Sequence, residues 1–110
     1  MSLDPNIIAM STFGDLPPEG GLEWAQSMDA HSVLSFKEPL TYPGYCDVNV
    51  HYILCEKDVV IPPDAQAGMI ELIKTASGRE PTVHKLNSDH APIASRPDEV
   101  AALVQKILTN

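Results

Sequence analysis

A chain of 110 residues, 44% hydrophobic and 20% charged, has the composition of a folded protein rather than a disordered tail. Seven basic against fifteen acidic side chains give a formal net charge of -8, and such a surface repels phosphate backbones and anionic lipid, which excludes nucleic acid and membrane from the expected partners. The length suits one small domain or a piece of a larger one and is short for a multi-layer α/β enzyme.

The chain divides by composition into residues 1–47 and 48–110. The first part opens without a basic region followed by an apolar stretch, and no apolar run reaches the ~18 residues of a transmembrane helix. The expected location is the cytoplasm. Pro17, Pro18, Gly20 and Gly21 break the chain. After them Leu22, Ala25 and Met28, with Trp24 adjacent, predict a short amphipathic helix over roughly 19–31. Pro39, Pro43 and Gly44 then mark a loop. No long periodic element stands in this part, which reads as a flap that needs something to lie against.

Residues 48–55 are a near-continuous run of β-favouring side chains, the mark of a strand buried on both faces. Pro62, Pro63 and Asp64 signal a helix start. Ala65, Met69, Leu72, Ile73 and Ala76 follow at helical spacing, and Gly78 falls where a C-cap belongs. A second short strand spans 81–86 and a loop spans 87–92. Ser95 and Asp98 predict an N-cap and a capping-box-like start for a last helix, whose apolar stripe is Val100, Leu103, Val104, Ile107 and Leu108. Strand, helix, strand, helix implies an α/β fold with parallel strands and crossover helices. Two strands alone make a poor parallel sheet, so the expectation is part of a larger one.

In open α/β sheets functional groups stand on loops past the carboxyl ends of strands. Asp58 follows the first strand and His90 the second, so both loops open at one sheet edge. A carboxylate there accepts from the imidazole Nδ1–H and leaves Nε2 as a base. The plain alternatives are a turn-forming Asp and a solvated loop His. Asp89 is read as a holder of loop N–H groups, Lys57 as a solvated charge bordering the site, and Trp24, Met28 and Phe36 as core or flap packing rather than tunnel lining. His51 and His84 lie within the strands, where they could face each other, but with Asp89 they match no ligand spacing, so no metal is expected. Cys46 and Cys55 read as buried thiols rather than a disulfide. No Gly-rich phosphate loop occurs and no cofactor is expected.

The run from Tyr52 to Ile70, with Asp58, Ile61, Pro62, Gln66, Met69 and Ile70 in the order D-x-x-I-P-x-x-x-Q-x-x-M-I, resembles the C-terminal part of α/β-hydrolase fold enzymes. More narrowly it looks like the branch that includes plant methylesterases, hydroxynitrile lyases and their fungal relatives. The segment Asn87–Pro97, with Asp89, His90, Ser95 and Pro97, resembles that branch's aspartate–histidine segment and following helix start. The resemblance covers residues 45–110 well, and residues 12–44 resemble the end of the cap region more loosely. It implies Asp58 as the triad acid and His90 as the triad base, in the family's chain order of Ser, then Asp, then His. Ester hydrolysis and cyanohydrin cleavage use the same three residues in such enzymes.

The nucleophile elbow Gly-x-Ser-x-Gly is absent from these residues, since none of Ser2, Ser11, Ser27, Ser32, Ser35, Ser77, Ser88 and Ser95 has both flanking glycines. The resemblance therefore implies the C-terminal part of an α/β-hydrolase sheet, at 48–110, preceded by a cap-like helical segment at 1–47. Its expected partners are a small-molecule ester or related substrate, together with an N-terminal half. The alternative is a catalytically inactive, truncated hydrolase-like chain that binds a partner or forms a homodimer through its open sheet edge.

Overall fold

The computed structural model describes residues 3–109. Asp4 caps α1 (Pro5–Ser11) by accepting the Asn6 N–H, and Pro5 enters the first turn, where its missing N–H costs nothing. Helix α2 (Pro18–Gln26) turns back against α1. The approach is close: a Cβ on Gly21 would stand 3.2 Å from the Phe13 carbonyl oxygen. Phe13 and Ala25 are buried there, and the Phe13 ring lies 5.9 Å from that of Trp24. A single helical turn, α3 (Leu34–Lys37), and a 3₁₀ turn (Gly44–Cys46) lead into the second part.

There the order is β1 (His51–Cys55), α4 (Pro63–Ser77), β2 (Thr82–Leu86), α5 (Pro92–Ser95) and α6 (Pro97–Thr109). The strands pair in parallel, from His51 opposite Thr82 to Cys55 opposite Leu86. The described residues thus form a mixed α/β structure around a two-stranded parallel sheet. Helix α4 begins as expected, with Pro63 in the first turn and Asp64 near the positive end. It ends at Gly78, whose φ of 71° and N–H to the Lys74 carbonyl make a left-handed cap. The Arg79 guanidinium then holds the Cys46 and Val48 carbonyls and ties this turn to the approach to β1.

Several expectations need correction. The first part contains α1, which the periodicity reading passed over because seven residues are too few to show a period. The helix expected over 19–31 stops at Gln26: the Ser27 hydroxyl bonds the Trp24 carbonyl, and Met28 lies beyond the end. The strands begin at His51 and Thr82 rather than 48 and 81; Pro81 has no N–H for the ladder. Strand β1 is not buried on both faces, since only Cys55 is buried along it. Among the described residues β1 pairs on one edge, with β2. Ser95 is not an N-cap but the last residue of α5, its hydroxyl turned back to Asp89 and the Ala91 carbonyl. Trp24, Met28 and Phe36 are exposed rather than core, although the Trp24 ring stacks on Phe13 and the Phe36 ring lies against His31. Cys55 is buried and Cys46 half-buried, and both are free thiols. No helix among the described residues is long and apolar enough to cross a membrane.

Burial is concentrated at one end of the sheet. Cys55 and Leu86, the last residues of the two strands, are buried, as are Asp58, Gln66, Ser88 and Asp89 beyond them. By contrast Leu72 of α4 and Val104 and Leu108 of α6 stay exposed. The best-packed region is therefore the pair of loops after the strands, and its interior is polar.

Candidate active site

The loop after β1 leaves the strand through a tight turn, Asp58 N–H to the Cys55 carbonyl. The Asp58 carboxylate is buried and divides its oxygens between two tasks. Oδ1 accepts the N–H groups of Val60 and Ile61, at 2.8 and 2.9 Å, which shapes the turn. Oδ2 lies 2.8 Å from His90 Nδ1. An ionised carboxylate can only accept, so this contact makes Nδ1 the protonated nitrogen and leaves the lone pair on Nε2. Nε2 makes no hydrogen bond among the described residues, and the His90 side chain is 33% exposed. The two residues that the sequence singled out, 32 positions apart, are thus brought together. Asp58 is at once the turn former and the partner of the histidine.

Gln66, on the first turns of α4, fixes this loop from below. Its Oε1 accepts the Cys55 N–H at 2.9 Å, and its Nε2 donates to the carbonyls of Cys55 and Ile61. The side chain is only 2% exposed, so all three bonds are sheltered from water. The loop after β2 is joined to its neighbour by backbone bonds, from Glu56 N–H to the Leu86 carbonyl and from Lys57 N–H to the Ser88 carbonyl. Asp89 acts as expected, holding the loop: Oδ1 accepts the Ala91 N–H and the Ser95 hydroxyl.

Asp15, on the α1–α2 connection, was not singled out by sequence. Its Oδ2 accepts the Asp89 N–H at 2.9 Å, and Asp89 Oδ2 accepts the Asp15 N–H at the same distance. Its Oδ1 lies 2.7 Å from Lys57 Nζ, so Lys57 is paired rather than merely solvated. Arg96 Nη2 is 3.6 Å from Oδ2. Burial pushes the Asp15 carboxyl up, but the Lys57 and Asp89 hydrogen bonds and the charges of Lys57 and Arg96 outweigh it and hold the group below its ordinary range. Burial also raises the Cys55 thiol, reinforced by the charges of Asp58 and Asp89 against a lowering contact with Ser88, so Cys55 is no thiolate nucleophile here.

His51 Nδ1 and His84 Nε2 do meet, at 3.0 Å, on one sheet face. Asp89 is committed elsewhere, and no group of three or more His, Cys, Asp or Glu among the described residues is placed to hold a metal. Nothing in the sequence pointed to Asp15, because its partners Lys57 and Asp89 lie 42 and 74 positions away. Gln66 stood in the quoted pattern without a role.

No protein-family model matches the chain. It is similar to the probable hydrolase R7 of Phoma sp. (strain ATCC 20986 / MF5453), 36% identical over 107 residues, which cover 97% of this chain and 44% of that protein. The chain spans less than half the length of this curated relative.

Proposed function

We propose that this chain carries the acid–base part of a Ser-His-Asp ester hydrolase of the α/β-hydrolase type. The observation that carries the reading is the 2.8 Å contact from His90 Nδ1 to the buried Asp58 Oδ2, which leaves Nε2 open as a base. Similarity to a probable hydrolase supports the reaction class. The order strand–Asp58, strand–His90 in parallel pairing supports the fold family. On this reading residues 48–110 form the last strands and helices of the sheet, and residues 1–47 form a cap-like segment. The free edge of β1 receives the strands that bear the nucleophile.

The chemistry then follows from the pair. A serine from the remaining part of the enzyme attacks the ester carbonyl while His90 Nε2 takes its proton. Asp58 holds the imidazole in the required tautomer and stabilises the imidazolium that forms. His90 returns the proton to the leaving alcohol, and the same cycle with water releases the acid. Backbone N–H groups outside these residues hold the oxyanion.

A chimera tests the proposal: this chain replaces the 107 matched residues of the probable hydrolase R7. The folded chimera should hydrolyse p-nitrophenyl esters and take up a fluorophosphonate on a serine of the remaining part. His90→Ala or Asp58→Asn should lower kcat by about 10³–10⁴-fold. A folded chimera that takes up no fluorophosphonate, or one whose turnover survives His90→Ala, overturns the proposal.

A further inference from the structure

We infer that Asp15 is a positioning residue for the Asp58–His90 pair, an inference that rests on the reading of His90 as the base. Asp15 touches neither member of the pair, yet it holds the residue immediately before each. Through Oδ1 it binds Lys57, the neighbour of Asp58, at 2.7 Å. Through Oδ2 it binds the N–H of Asp89, the neighbour of His90, at 2.9 Å. The Asp89 carboxylate answers with a bond to the Asp15 N–H, and through its other oxygen it fixes the Ala91 N–H and the Ser95 hydroxyl on the far side of His90.

One carboxylate therefore braces both of the loops whose side chains must meet, in addition to the backbone bonds that join them. The reciprocal Asp15–Asp89 bonds act as a clasp, since each residue presents one donor and one acceptor to the other, and sliding the α1–α2 connection past the loop after β2 breaks both bonds. The Asp15 side chain is only 15% exposed, which limits competition from water. Arg96, at the start of α6, adds a second positive charge to the same carboxylate. A merely structural residue would hold the α1–α2 connection to the body of the protein. A positioning residue also governs how completely Nδ1–H is delivered to Asp58.

That difference is measurable on the histidine itself. In the 110-residue chain, ring-nitrogen chemical shifts of His90 should report a single Nδ1–H tautomer. Asp15→Ala should shift them toward a mixture of tautomers, while the amide resonances of β1 and β2 stay in place. Asp15→Asn, which keeps an acceptor oxygen but loses the pairing with Lys57 and Arg96, should fall between the two. Asp4→Ala, which removes the α1 cap in the same segment, should leave His90 unchanged. In the chimera, Asp15→Ala and Asp15→Asn should lower kcat by about tenfold or more with KM nearly constant, since displacement of a base by about an ångström is enough for such a loss. If both Asp15 variants change only the melting temperature, with the His90 shifts and kcat those of the parent, the inference is overturned. If Asp15→Ala fails to fold, the outcome for Asp15→Asn decides. Survival of turnover in His90→Ala would instead sink the hydrolase reading, and the tautomer result would stand apart from it.

Discussion

At the scale of single residues, the site depends on side chains that make more than one bond. Asp58 shapes its own turn with one oxygen and orients His90 with the other. Removing it would disturb backbone and chemistry together, which is why the amide variant, which keeps an acceptor for the turn, is the informative one. Gln66 is the quieter case. Its amide satisfies the N–H and carbonyl of Cys55 and the carbonyl of Ile61, all from one buried position. Gln66→Ala strands those groups, and stranded buried groups cost more than the bonds they made. The expected loss is about 2–4 kcal/mol, read as a lower midpoint in urea unfolding. Unchanged stability would mean that water reaches these groups.

At the scale of elements, the second part of the chain was legible because each element carries its own signals. Pro63 and Asp64 open α4 and Gly78 closes it, so helix and strand boundaries were fixed to within a few residues. Gly78 is the described residue with positive φ, and a Cβ there meets nothing within 4 Å, so the strain of a replacement is purely conformational. Gly78→Ala should cost about 1–2 kcal/mol, measured by thermal unfolding, with the site geometry intact. The first part was less legible. Helix α1 has an Asp-Pro start but only seven residues, too short for its apolar face to declare itself. Ser95 looked like a cap from local spacing, yet its hydroxyl answers to Asp89 across the loop, a contact that no local pattern encodes. Asp58 and His90 could be paired from the sequence because both follow strands, and Asp15 was passed over because it follows a helix and its partners lie far along the chain.

At the scale of the whole molecule, the two parts are joined where the charges are: Asp15 with Lys57, Asp89 and Arg96. The folded Asp15 pKa lies below its unfolded value, near the ordinary 3.8. The clasp's contribution is therefore present above that value and is lost as pH falls through the depressed one. Trp24, the single tryptophan, stacks beside Phe13 in the part that the clasp holds, and its fluorescence reports the release. Acid titration should show a transition below about pH 4 that Asp15→Asn removes, leaving a lower but flatter stability. A transition that persists unchanged in Asp15→Asn would place the acid sensitivity elsewhere.

The clasp also has a consequence in time. The α1–α2 pair forms from neighbours in sequence, and so does the β1–α4–β2 unit, whereas Asp15 and Asp89 stand 74 positions apart. Closing so long a loop adds only modestly to the equilibrium cost, about 0.6 kcal/mol for each doubling of length, but it delays the contact until both ends already have their shape. On the proposed reading, the alignment of His90 with Asp58 is in this order of events among the last things the chain acquires, after its helices and strands.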